Sequence, residues 1–132
     1  MNAMLAYYDN VQKILQRIRE TQLDAIDRAA SLFADTIAGD GLVHMFATGH
    51  SRVFIEEMFP RYGSFPGFHS IVELSLTYHN QVVGANGQRQ ALFIEHMEGF
   101  AGVIVRNFVL SPPDCFLVYA ASGGTAGAVD IA

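Results

Sequence analysis

The chain reads as an α/β domain, a three-layer sandwich on a parallel sheet that follows a long N-terminal helix. Three observations carry this. Short apolar runs, "LVHMFA", "GFHSIVEL" and "CFLVYA", alternate with stretches of helical periodicity. Such alternation predicts parallel strands, right-handed crossovers and helices on both faces. Two of the runs end in similar turns, "ATGHSR" and "AASGGT", at places where α/β sheets bind ligands. Finally, 51% of the residues are hydrophobic, enough for a core covered on both sides.

The elements follow in order. Val11, Ile14, Leu15 and Ile18, then Leu23, Ile26, Ala30, Phe33 and Ile37, recur at helical spacing, which predicts one helix over about Tyr7 to Ala38. Gly39 and Gly41 stop it. At about 30 residues it is longer than one small core requires, so its stripe is expected to pack on a partner chain as well as on its own sheet. Leu42 to Ala47 is a buried parallel strand. "RVFIEEMFPRYG" is a helix that Pro60 shortens or kinks. "GFHSIVEL" is a second strand ending near Glu73 or Leu74, and "SLTYHNQVVGANGQ" is a polar loop. In "RQALFIEHMEGFAGVIVRNFVL" the spacing of Phe93, Met97, Phe100, Ile104 and Phe108 predicts a single helix, although "VIV" leans towards strand and Gly99 and Gly102 weaken either assignment. "SPPD" breaks it. "CFLVYA" is the third strand, and a last helix starts near Ser122 or Thr125.

Composition narrows the function classes. With 132 residues the chain is one domain at most, over residues 1–132. Its net charge is −5, and its eight Lys and Arg residues are scattered among acids, which argues against a nucleic-acid partner. No apolar run reaches the roughly 20 residues that span a bilayer, and the N-terminus lacks the marks of a signal peptide. One cysteine, Cys115, lies in an apolar run and reads as a small buried hydrophobe. A single cysteine fits a cytoplasmic location. No Cys/His cluster has zinc-like spacing, so neither metal nor cofactor is expected.

The chemistry is expected in the two turns. Each supplies glycine, through which backbone N–H groups approach a ligand closely, and each supplies hydroxyls: Thr48 and Ser51 in the first, Ser122 and Thr125 in the second. Each leads into a helix start, which favours an anion. Neither is G-x-x-x-x-G-K-[ST] nor G-x-G-x-x-G, so neither a P-loop nor a dinucleotide site is indicated. A Ser or Thr before a helix is an ordinary N-cap. The pair at adjacent strand ends is more specific, and suggests one phosphate held between Thr48, Gly49, His50, Ser51 and Arg52 on one side and Ser122, Gly123, Gly124 and Thr125 on the other.

These residues, together with "GLVHMFATGHSR", "EEMFPRYG" and "QRQALFIEHMEGFA", resemble the SIS (sugar isomerase) domain family, closest to its phosphoheptose isomerase-like branch. The resemblance covers nearly the whole chain. The family's second phosphate motif, S-x-S-G-x-T, is matched at Ser122, Gly123 and Thr125, with Ala120 in place of the first hydroxyl; the first motif is matched at Gly49 and Ser51. The resemblance implies a phosphosugar ligand and, in many members, aldose–ketose isomerisation through an enediol-type intermediate. That reaction needs a base for the carbon proton and an acid for the oxygen protons. Glu57, His79 and Glu73 are the expected catalytic set, with Glu56 and His50 also near strand ends. Each has a plainer reading: Glu56 or Glu57 pairs with Arg52 or Arg61, His79 is an exposed loop histidine, and His50 helps hold a ligand. His44, inside a strand, reads as a core histidine, and Glu95 and Glu98 as helix surface. Zinc-dependent members carry a His where this chain has Glu57, so the metal does not carry over.

SIS domains usually have five parallel strands, and three are legible here in a partial flavodoxin-like order, 2-1-3. The chain is thus expected to be either a fragment or a small half-domain completed by oligomerisation. Strand three becomes an apolar edge, which invites pairing, so a homodimer or tetramer is expected. The alternative to an enzyme is a non-catalytic sugar-phosphate sensor or a structural half-domain.

Overall fold

The structure, a computed structural model, describes residues 2–76 and 84–132. It divides into two compact units, residues 1–35 and 36–132.

The first unit is helical. Instead of the single helix expected, α1 runs Ala3–Thr21 and α2 starts at Leu23, continuing into the second unit to Ala38. Asn2 caps α1 by accepting from the Met4 N–H at 3.0 Å. The break at Gln22 follows Thr21, whose hydroxyl donates back to the Arg17 carbonyl at 2.8 Å. Such back-bonding bends helices. Gln22 takes φ −117°, and the ladder resumes where Ile26 N–H meets the Gln22 carbonyl. No residue of α1 is buried. Tyr7, Ile14 and Leu15 of its apolar stripe are exposed.

The second unit carries three parallel strands: β1 (Val43–Ala47), β2 (Phe68–Ile71) and β3 (Cys115–Tyr119), in the order β2-β1-β3. This is the 2-1-3 order expected, and β3 is an edge among the described residues. β1 is buried along its whole length because it has a neighbour on each side and a layer on each face. Side chains alternate between those faces. Phe46, Ile71, Phe116 and Val118 share one cluster with Ile94, Phe100, Ile104 and Ile131. Met45, Ala47, Phe68 and Leu117 share the other with Ile55 and Met58. Helices therefore cover both sides: α3 (Arg52–Glu57) on one, and α4 (Gln88–Ile94), α5 (Phe100–Val105) and α6 (Ala126–Ile131) on the other.

Several boundaries differ from the sequence reading, each for a local reason. α2 ends in a left-handed residue, but that residue is Asp40 (φ 60°) and neither flanking glycine. Asp is among the few non-glycine residues that adopt this conformation. Gly41 is needed for a different reason: a Cβ there would lie 2.7 Å from the Pro113 carbonyl oxygen. α3 stops at Glu57, ahead of Pro60; the pre-proline restriction bars Phe59 from continuing it. β2 stops at Ile71 because Glu73 folds the chain into a turn, its carboxylate accepting the Ser75 and Leu76 N–H groups at 2.8 and 3.0 Å. The helix expected over 89–110 is two, α4 and α5. Gly99 between them takes φ 77°, and its N–H donates to Asp130 at 2.6 Å. Cys115 is only partly buried.

The amino ends of the strands hold a polar cluster. His44 is buried to 1% exposure, as a core histidine should be. Its Nε2 lies 3.1 Å from Asp114 Oδ2 and its Nδ1 2.8 Å from His69 Nδ1. A neutral His44 that donates Nε2–H to Asp114 accepts at Nδ1 from His69. Asp114 also accepts the Leu42 N–H at 2.8 Å and the Ser111 N–H at 2.6 Å, so it fastens the starts of β1 and β3 together. These backbone donors, with His44, hold its carboxyl well below the usual carboxylate range. Desolvation, and then the neighbouring His44, push the His69 imidazole below its ordinary value, against a smaller opposing pull from Asp114.

Candidate functional site

At the opposite, carboxyl ends of the strands lies a cavity of about 530 Å³ with three walls. The first is the turn after β1: Thr48, Gly49, His50, Ser51 and Arg52. Gly49 sits at φ 56° and opens a 3₁₀ turn, Gly49–Ser51, that runs into α3. Its own N–H is already used, donating to the Leu76 carbonyl at 3.1 Å. Arg52 is only 14% exposed and faces Glu56 at 3.1 Å. This is an ion pair without hydrogen-bond geometry, since Glu56 Oε1 has no hydrogen-bond partner among the described residues.

The second wall is the turn after β3, with Ala120, Ala121, Ser122 and Thr125 facing the cavity. Gly123 takes φ 66°; it and Gly124 belong to the turn but not to the wall. The N–H groups of Ser122 to Thr125 have no acceptor among the described residues. Thr125 stands at the N-cap position of α6 with extended backbone, yet its hydroxyl does not cap. Thr125 Oγ1 is buried and without a hydrogen-bond partner among the described residues. A buried hydroxyl left unpaired costs about 1–3 kcal/mol unless something else satisfies it.

The third wall runs along α4: the preceding 3₁₀ turn contributes Gly84, the helix contributes Gln88, Ala91 and Leu92, and its end contributes Glu95. These four are spaced i, i+3, i+4, i+7 and so share one helix face. Glu95, the residue that caps the end of α4, ties this wall to the first and to α6, the helix that follows the second. Its carboxylate accepts the Thr48 hydroxyl at 2.9 Å, and its backbone carbonyl accepts the Gly127 N–H of α6 at 3.0 Å. The sequence reading placed Glu95 on the helix surface. The shared face with Ala91, a small residue between polar ones, was the available signal.

The structure thus brings Thr48, His50, Ser51, Arg52, Ser122 and Thr125 to one cavity. It places the expected catalytic carboxylates elsewhere. Glu57 lies on the exposed side of α3, 68% exposed and paired with Arg61. Glu73 caps its own turn beyond β2. His79 lies outside the described residues. Among the described residues no group of three His, Cys, Asp or Glu could hold a metal ion, and no helix is long and apolar enough to cross a membrane.

A parallel α/β sheet with a polar cavity formed by glycine-hydroxyl turns at its strand ends places the domain in the doubly wound class, in which ligands bind at the carboxyl ends of the strands. The profile of the SIS domain matches residues 6–132, and the chain belongs to that family, whose domains bind phosphosugars. It is similar to UPF0309 proteins. One from Listeria monocytogenes is 27% identical over 126 residues, which cover 96% of this chain and 49% of the relative. One from Thermoanaerobacter pseudethanolicus is 28% identical over 131 residues, or 98% and 51%. One from Oceanobacillus iheyensis is 26% identical over 132 residues, or 100% and 52%. The chain spans about half the length of the curated relatives it matches.

Proposed function

We propose that this chain binds a phosphosugar in the strand-end cavity, its phosphate held between the Gly49–Ser51 turn and the Ser122–Thr125 turn. The observation that carries the reading is the convergence of two glycine-hydroxyl turns on one cavity, the second of them with donors unspent among the described residues. Among the described residues the N–H groups of Ser122 to Thr125 have no acceptor and the buried Thr125 hydroxyl has no partner. Backbone donors and hydroxyls of this kind suit phosphate oxygens. Ala120 removes one hydroxyl from the family's motif and leaves the backbone cradle as the main contact.

A thermal-shift panel of five- to seven-carbon sugar phosphates tests this. A ligand at 100 times its Kd stabilises by about 2.7 kcal/mol, a clear rise in Tm. Ser122→Ala should reduce that rise. If none of the sugar phosphates stabilises the wild-type chain, the reading falls.

Isomerase chemistry through Glu57, Glu73 and His79 is the finer form of this reading. The engagement of Glu57 with Arg61 and of Glu73 with Ser75 and Leu76 favours the alternative, binding without turnover. Proton exchange from solvent D₂O into the sugar carbon next to the carbonyl, followed by NMR, separates the two. A second copy of this chain against the β3 edge completes the proposal. Light scattering at micromolar concentration should then give a mass above the 14.5 kDa of one chain.

A further inference from the structure

We infer that Glu95 is the specificity-determining residue of the cavity, accepting hydroxyls of the sugar and restricting the ligand to phosphosugars whose carbon chain carries no acid group. The inference rests on the phosphosugar reading above and deepens it. If phosphate occupies the two turns, the α4 wall is left for the rest of the ligand. That wall offers Gln88, Leu92 and Glu95. Glu95 is the one acidic side chain in the lining among the described residues. It is half-buried, and it is fixed from two directions, by the Thr48 hydroxyl on Oε2 and by Gly127 N–H on its backbone carbonyl. Oε1 has no hydrogen-bond partner among the described residues, which leaves it for a ligand.

A carboxylate oxygen only accepts. Sugar hydroxyls donate to it, and a ligand carboxylate cannot. Two carboxylates held together in a partly desolvated cavity repel each other more strongly than in water. Arg52 does not offset this freely, because it already faces Glu56. The cavity is therefore polarised, with anion donors on the two turns and an acceptor on α4. A ligand with phosphate at one end and neutral hydroxyls at the other matches that polarity, and one acidic at both ends does not.

Glucitol 6-phosphate and 6-phosphogluconate provide the test. Both are open six-carbon chains with the same phosphate, and they differ in an alcohol or a carboxylate at the far end. Calorimetric titration of the wild-type chain should show the alcohol binding at least about tenfold more tightly. Glu95→Gln keeps an acceptor for Thr48 and removes the charge, so it should bring the two affinities within about threefold of each other. Inorganic phosphate should bind this variant at least as well as it binds wild type, which confirms that the variant is folded. Equal binding of the two ligands by wild type overturns the inference while leaving the phosphosugar reading intact. So does a discrimination unchanged in Glu95→Gln. Failure of every sugar phosphate to bind wild type removes the phosphosugar reading and this inference with it.

Discussion

The two ends of the sheet handle polar groups in opposite ways. At the amino end, His44 uses both ring nitrogens, and Asp114 accepts from two backbone N–H groups as well as from His44. At the carboxyl end, Thr125 Oγ1 is buried without a partner, and the N–H groups of Ser122 to Thr125 have no acceptor among the described residues. Buried polar groups are nearly always hydrogen-bonded in native structures, so one left open calls for a reason, and a ligand is one such reason. By this criterion the histidine cluster, the more eye-catching in chemical type, is structural. The plainer hydroxyl turns line the cavity proposed as the site.

The largest expected effect tests the amino end. His44→Ala removes a fully buried ring and leaves Asp114 and His69 each short of a partner. It should cost about 3 kcal/mol in denaturant unfolding. The fold of Tm rise given by a bound sugar phosphate should persist at temperatures where the variant is folded. Loss of ligand binding without loss of stability would place function at the wrong end of the sheet. At the carboxyl end the signs should reverse. Thr125→Val removes an unpaired buried hydroxyl, so the ligand-free chain should gain about 1 kcal/mol, while ligand affinity drops about tenfold. A variant that loses stability and keeps affinity would break the comparison.

Glu73 sharpens it further, because it serves the site from a distance. Its carboxylate holds the Leu76 N–H, and the Leu76 carbonyl holds the Gly49 N–H. Glu73→Ala should weaken ligand binding about threefold through this chain of contacts. Restoring the acceptor with Glu73→Gln should recover most of that affinity.

The smallest effect is in pH. The folded-state pKa of His69 lies below its ordinary value. As pH falls below about 6.5, the unfolded chain therefore takes up protons first, and stability declines through that window. The decline is shallow because His69 is partly exposed. Asp114 behaves as a depressed carboxylate: its contribution is present above the ordinary carboxylate range and is lost below about pH 4. Urea midpoints measured between pH 7.5 and 5 should fall for wild type and stay flatter for His69→Asn.

Much of this was legible in the sequence where local chemistry decides structure. β1 announced itself because a central parallel strand is apolar on both faces, and the turns after β1 and β3 showed their glycines and hydroxyls directly. The 89–110 segment misled because its spacing mixes two destinations. Phe100 and Ile104 pack in the core, while Phe93 is exposed, and the left-handed Gly99 between them separates two short helices. Glu95 was hidden for a related reason. Nothing in a surface-like glutamate reveals that Gly127, more than 30 residues later, and Thr48, far earlier, will both bind it. The same holds for Glu73, whose role as a turn acceptor follows from the two residues after it adopting a tight bend.

The sheet's strand order also has a kinetic consequence. β1 pairs with β2 across 25 residues and with β3 across 72. Closing the longer loop costs about 0.9 kcal/mol more in chain entropy, and the contacts that reward it arrive later. β1 and β2 are therefore expected to associate first and β3 to dock last. Since the turn after β3 supplies one of the cavity's three walls, the proposed binding site is incomplete until the final docking step. A ligand accordingly has nothing to grip during assembly. It should slow unfolding of the finished domain and leave the rate of its folding unchanged.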